Sequence, residues 1–295
     1  MARNLFLLIG AQKSGTTSIY SALEEQKDIV LTHKKESRFF VDDQSYAQGV
    51  THYWSLFRLR DTEVPFLDID PHLLHYEFVP KRIFDILGDS PKFIVILRNP
   101  VDRAWSAYQM EKFRKRENLS FREAIEQEET RTRDAHMRRF SYLSWGLYFK
   151  QLGKFFEFFP KENFKFFLFE DDFLKNRRRL YEEMGHFMGI NIQKDLRINI
   201  QHNPTRKIKN SRIDKLLSEE NWIRKSVRSV ISAEQSRRWK EKLYAWNASQ
   251  KIREHVSPDL RAKLIREYFW DDILALEDLL QRDLSAWKGI PHDAS

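Results

Sequence analysis

Two sets of side chains in this sequence have types and spacings that suit chemistry on a phosphorylated ligand. The first is Gly10-Ala11-Gln12-Lys13-Ser14-Gly15-Thr16-Thr17-Ser18, with glycines five positions apart, a cation between them and hydroxyls behind. The glycine spacing is that of the triphosphate-binding pattern G-x-x-x-x-G-K-[ST], but Thr16 stands where that pattern has its lysine. The lysine is Lys13, inside the loop, from where it reaches the far end of a bound phosphate group. The second set is LRNPVDRAWSAY, residues 97–108, in which Arg98 and Ser106 meet on one side if a helix begins near Val101. An arginine and a hydroxyl so placed hold a compact dianion through charge-assisted hydrogen bonds. Two anion sites suit a nucleoside with phosphates at both ends. A carboxylate, Glu36 in KKESRFF, residues 34–40, stands among Lys34, Lys35 and Arg38 and by itself reads as a surface ion pair.

Such sites need a scaffold that puts loop ends side by side. Asn4 to Ile9 is a short apolar run stopped by Gly10, and Ile19, Tyr20 and Leu23 follow the loop at helical spacing, so the parse is strand, glycine loop, helix. A helix start offers unpaired N–H groups and a positive dipole end to an anion. Lys92–Leu97 and Phe164–Phe169 are further continuous apolar runs, and Phe66–Ile69 is a fourth. Continuous apolarity marks strands of a parallel sheet, buried on both faces. Helical stretches are expected at 102–116, 121–133, 148–158 and 179–187, between or beside those strands. The expected fold is α/β, a P-loop-like central parallel sheet flanked by helices. Beyond residue 200 the sequence turns basic and helical, and 257–278 opens on the cap Ser257-Pro258. With no repeat or Gly/Ser linker, one domain over 1–295 is expected, made of a nucleotide-binding core, 1–200, and a mostly helical extension, 201–295.

Composition narrows the partners. The chain has 51 Lys and Arg against 43 Asp and Glu, a formal charge of +8, which attracts anions over a salt-limited range. It has no cysteine, which excludes disulfides, zinc–thiolate sites and cysteine nucleophiles. The apolar run Leu5–Ile9 is too short for a membrane span or a signal peptide, so a cytoplasmic protein is expected. A nucleic-acid partner would rest on charge alone, because no helix-turn-helix or RNA-binding signature is present.

At the two phosphate segments the sequence resembles the sulfotransferases that use 3′-phosphoadenosine 5′-phosphosulfate (PAPS), of the bacterial and heparan sulfate 3-O-sulfotransferase type. GAQKSGTT is similar to their 5′-phosphosulfate loop and LRNPVDRAWSAY to their 3′-phosphate segment, and looser similarity runs through 146–172 and 271–287. The resemblance implies a sulfuryl transfer from PAPS to a hydroxyl or amine of an acceptor, a glycan or another hydroxylated molecule, with no metal. It implies that Lys13 stabilises charge on the leaving phosphate, that Gln12, Ser14, Gly15, Thr16, Thr17 and Ser18 complete the 5′ site, and that Arg98 and Ser106 hold the 3′-phosphate. KKESRFF resembles the segment carrying that family's glutamate base, which places the base at Glu36. Three departures stand out: Arg38 replaces the family's histidine two positions after the glutamate, Ile69 in LDIDP replaces a lysine, and no KGRxHP nucleotide-closing loop is visible. NPTRKIKNSR, 203–212, is its counterpart here, with Arg206 and Lys207 as nucleotide contacts. Two other readings compete: a P-loop-like ATP-dependent kinase, and a non-catalytic module that grips sulfated glycans.

The remaining candidates carry less. His72 and His75, near Asp68 and Asp70, have spacing that would suit a metal, but read better as surface histidines. His33 is a reserve base. Glu170, Asp171 and Asp172 are expected to provide helix capping and charge balance in the following turn, and Trp54, Trp222, Trp239 and Trp246 to fill the core.

Overall fold

The structure, a computed structural model, describes residues 4–58, 64–132, 139–192, 206–208, 248–251 and 255–289. Five parallel strands form its central sheet: β1 (Leu5–Gly10), β2 (Val30–Leu31), β3 (Phe66–Ile69), β4 (Lys92–Leu97) and β5 (Phe164–Leu168), in the order β2-β3-β1-β4-β5. Leu7 pairs with Asp68 on one side of β1 and with Phe93 on the other. The expected strands at Leu5, Phe66 and Lys92 are all present, and β2, only two residues long, carries too little pattern to be read from sequence. Side chains of β1 alternate between two cores, Leu5, Leu7 and Ile9 facing one and Phe6 and Leu8 the other. Those of β4 divide likewise, which is why both strands are apolar throughout.

Helices cover both faces. Ile19 and Leu23 of the helix Thr16–Leu23 pack with Leu180 and Met184 of Arg177–Met188 over one face. Helices Val79–Leu87, Pro100–Phe113 and Tyr148–Phe156 cover the other, joined by Phe269, Ile273 and Leu276 from near the C-terminus. The expected single helix at 121–133 is two short ones, Phe121–Glu126 and Glu128–Arg131, parted at Gln127. Its first helix starts on a capping box of Ser120 and Glu123. The expected C-terminal helix begins at its Ser257 cap but passes through a π-helical turn, Ile265–Phe269, before continuing as Trp270–Leu280.

Because β1 lies between β3 and β4, the chain leaves the central strand toward one side and returns on the other. A crevice opens outside the carboxyl ends of strands at such a reversal. The glycine loop after β1, the segment after β3 and the start of the helix after β4 all meet there.

Candidate active site

Gly10, the last residue of β1, lies so close to Leu74 that an added Cβ would stand 2.6 Å from its side chain. The loop then turns through two left-handed residues, Lys13 with φ 74° and Gly15 with φ 82°. Only Gly15 is a glycine, and it needs to be: a Cβ there would meet the Phe173 ring at 2.7 Å as well as the backbone strain. Gly15 also caps the helix Thr16–Leu23, accepting from Ser18 N at 2.9 Å, so the N–H groups of Thr16 and Thr17 open the helix with no helical partner.

Lys13, Gly15, Thr16, Thr17 and Ser18 line a cleft of about 350 Å³ together with Gln12, Glu36, Arg98 and Ser106. Of the loop residues expected to contact an anion, Ser14 alone is turned away: its side chain is fully buried and its Oγ has no hydrogen-bond partner. Arg98, at the end of β4, donates through Nη1 to the Lys13 carbonyl at 2.8 Å and stacks over Phe169 at 4.7 Å. The two expected phosphate segments are thereby tied to each other. Ser106 follows two turns into the helix Pro100–Phe113, whose start is capped by Asn99 Oδ1 accepting from Val101 N and Asp102 N.

The electrostatics favour an anion. Lys13 Nζ donates to Met110 Sδ at 3.6 Å, a weak acceptor. Burial, and then the charges of Arg98, Arg114, Arg103 and Lys35, pull its ammonium down to about 8. Burial also lowers Arg98 from its ordinary value, though a guanidinium keeps its charge. An anion in the cleft would relieve this crowding of positive charge.

The opposite wall is the segment carrying Glu36. Its residues 36 and 38 are left-handed, with φ 65° and 57°, and three hydrogen bonds fasten it to β3 and the residue beyond. Glu36 N donates to Ile69 O at 3.0 Å, Ser37 Oγ to Asp68 Oδ2 at 2.7 Å and Arg38 N to Asp70 Oδ2 at 2.9 Å. Phe39 and Phe40 anchor the segment, both completely buried. The Glu36 carboxylate is ion-paired with Lys35 and borders the cleft. Burial and the neighbouring Asp70 charge push the Asp68 carboxyl up to about 7.

Several lining residues have no cleft role in the sequence reading: Lys35, His72, Arg114, Phe169, Phe173 and Arg177. A signal existed for some of them. Ser106, Met110 and Arg114 are spaced by four along one helix, and Phe169, Phe173 and Arg177 likewise follow β5 by fours. Asp171 and Asp172 balance charge in the turn after β5, as expected. They lie in the π-helical turn Phe169–Lys175, where Asp171 pairs with Lys175 and Asp172 accepts from Leu168 N and Arg282. Glu170 instead accepts from Asn99 N at 3.0 Å, bracing the residue after Arg98. His33 is exposed and does not border the cleft. His72 and His75 are not surface histidines: one lines the cleft, and the other stacks on Trp145 at 4.4 Å. Among the described residues no group of histidines and carboxylates is arranged to hold a metal. Trp54 packs against Phe57 and Phe66 as core, while Trp222, Trp239 and Trp246 lie outside the described residues. Arg206 and Lys207 fall on a short strand, β6 (Arg206–Ile208), paired antiparallel with β7 (Ala248–Lys251), and the rest of 203–212 is outside the described residues.

The sulfotransferase domain family model matches residues 3–264. The chain belongs to that family. Its sequence is 32% identical over 109 residues to the bifunctional heparan sulfate N-deacetylase/N-sulfotransferase 1 of Xenopus laevis, covering 35% of this chain and 12% of the relative. It is 26% identical over 163 residues to the mouse (Mus musculus) heparan sulfate glucosamine 3-O-sulfotransferase 5, covering 54% and 45% respectively. The chain thus spans less than half the length of these relatives. In structure it is similar to a sulfotransferase from Alicyclobacillus acidocaldarius, with a TM-score of 0.70 and 26% identity over 98% of this chain and 100% of that one. The chain therefore carries a sulfotransferase-family domain, with a family fold built on the parallel sheet.

Proposed function

We propose that this sulfotransferase moves the sulfuryl group of PAPS in line onto a hydroxyl or amine of an acceptor, a carbohydrate first of all. The observation that carries the reading is Lys13: a half-buried lysine in a left-handed loop position, crowded by cations, at the mouth of a helix start and bonded through its carbonyl to Arg98. In this role it neutralises charge on the phosphate oxygen as the S–O bond to it breaks. The transition state of such a transfer is loose, by analogy with phosphoryl transfer, so positioning and electrostatics carry most of the rate. Gly15, Thr16, Thr17 and Ser18 hold the 5′-phosphate, Arg98 and Ser106 the 3′-phosphate, and Glu36 draws the acceptor's proton. The named activities of the heparan-modifying relatives support a glycan acceptor. So do Lys35 and Arg114, whose charge on the cleft suits a substrate bearing carboxylates or sulfates.

The test is a magnesium-free calorimetric titration with 3′-phosphoadenosine 5′-phosphate (PAP), with ATP and ADP as controls. Tight binding that vanishes without the 3′-phosphate is expected; preference for ATP restored by magnesium would favour the kinase reading. In the same assay Arg98→Ala should weaken PAP by about a hundredfold, the cost of a lost buried charge contact. Lys13→Ala should weaken PAP by about tenfold, less than Arg98→Ala, while lowering PAPS turnover by about 10²–10³. Equal losses of affinity and turnover in both variants would refute this division of roles.

A further inference from the structure

The cleft contains a second group suited to proton transfer, which the Glu36 role leaves unused. Asp70, at the end of β3, has a completely buried side chain. One of its oxygens, Oδ1, accepts from both His72 N at 3.1 Å and His72 Nδ1 at 2.7 Å, and the other accepts from Arg38 N. Burial pushes the Asp70 carboxyl up, but the bonds from His72 and Arg38 outweigh it and hold it below its ordinary value, as a charged acceptor. A carboxylate in that position fixes the histidine tautomer, with Nδ1 carrying the proton and Nε2 presenting a lone pair. The ring is further held edge-on by Trp145, 5.5 Å between centroids, and its side chain is only 13% exposed. His72 borders the same cleft as Lys13 and Glu36.

Glu36 lies on the adjoining strip of wall. The three hydrogen bonds from residues 36–38 to residues 68–70 make one braced junction from which both Glu36 and His72 leave toward the cleft. Glu36 is 35% exposed and paired with Lys35. A carboxylate that takes a proton beside a lysine must pass it on before the next turnover.

We propose that His72, held by Asp70, is a further catalytic residue, receiving at Nε2 the proton that Glu36 draws from the acceptor. The inference rests on the sulfuryl-transfer reading above. In the step the acceptor O–H bond breaks, a new O–S bond forms and the S–O bond to the 5′-phosphate breaks, releasing PAP. The proton passes from the acceptor oxygen to Glu36, then to His72 Nε2, and from there to solvent. Asp70 acts as the positioning residue.

Three variants test this: His72→Asn, which keeps a side-chain N–H for Asp70 but has no basic nitrogen; His72→Ala, which leaves room for imidazole; and Asp70→Asn, which offers Nδ1 an N–H and so turns the tautomer round. PAP affinity is measured by calorimetry, and PAPS consumption with a heparosan oligosaccharide or water as acceptor. All three variants are expected to keep PAP affinity within about threefold, to keep KM for the oligosaccharide, and to lose turnover by about a hundredfold or more. Added imidazole should restore part of the activity of His72→Ala but none of that of His72→Asn or Asp70→Asn, because the ring space is filled in both. A purely structural role would give no such selective rescue. His72→Asn turnover within about threefold of wild type, with PAP still bound, overturns the relay alone. Failure of the wild-type protein to bind PAP overturns the donor reading and the relay with it.

Discussion

At the scale of single residues, the cleft's character is concentrated in Lys13. An unperturbed lysine is fully charged at neutral pH, but here burial and the surrounding cations bring it to about 8. Binding a phosphate dianion favours the charged form and raises that value again, so the complex must take up protons wherever free Lys13 is partly neutral. At pH 8 PAP binding should therefore absorb up to about half a proton, and affinity should weaken as pH rises further. Calorimetry in two buffers of different ionisation enthalpy reads this directly; an enthalpy that does not change with buffer would exclude it. The type and place of Lys13 were legible from its glycine neighbours. Its depressed value was not, because Arg98, Arg103 and Arg114 come from another segment and only folding brings them near. His72 illustrates the same limit: sequence shows a histidine two residues after an aspartate, and the fold alone places that pair on the cleft beside Glu36.

At the scale of elements, the strand-to-helix junctions carry the ligand contacts, and their stability comes partly from remote groups. Asn99 caps the helix Pro100–Phe113 and also donates through Nδ2 to Trp287 O at 3.2 Å, linking that helix start to the C-terminal segment. Asn99→Ala should cost about 1–2 kcal/mol for the lost cap, seen as a fall of about 2–3 °C in Tm. PAP affinity should fall too, since Arg98 precedes the cap. An unchanged melting curve would show the cap to be redundant. The helix Tyr148–Phe156 has no side-chain cap of its own. Asp272, from the distant helix Trp270–Leu280, accepts from Phe149 N and Lys150 N at 3.0 Å each and does the capping across space. A local cap such as Ser257 was readable in advance; a cap supplied from more than a hundred residues away has no local signature.

At the scale of the whole molecule, the segment 255–289 is part of the main core. Val256, Leu264, Ile265, Phe269, Ile273, Leu276, Leu284 and Trp287 are buried, and Phe269 fits against Gly146, where a Cβ would stand 2.9 Å from its ring. Arg282 adds an ion pair to Asp172, behind the aromatic wall of the cleft. Burying each such side chain contributes about 1.5–3 kcal/mol, so the eight together, about 12–24 kcal/mol, match or exceed the roughly 5–15 kcal/mol that holds a domain folded. Truncation at residue 254 should therefore abolish cooperative unfolding in circular dichroism and PAP binding together. A truncated protein that melts cooperatively at the wild-type temperature would refute this.

The sequence by itself determined the parallel sheet, the loop after β1, the arginine after β4 and the family they define, because these are local patterns: apolar runs long enough to be buried on both faces, glycines at fixed spacing, and a charged residue at a strand end. Its expectations about helix ends held to within a few residues where a cap or proline marked them and failed at Gln127 and in the Ile265–Phe269 turn, where packing overrides propensity. Only the tertiary structure decided which side chains share the cleft, turned Ser14 inward, set Lys13 among four cations and joined Asp70, His72 and Glu36 at one junction. Those outcomes depend on burial and on charges far apart in the chain, and neither is written in any short stretch of it.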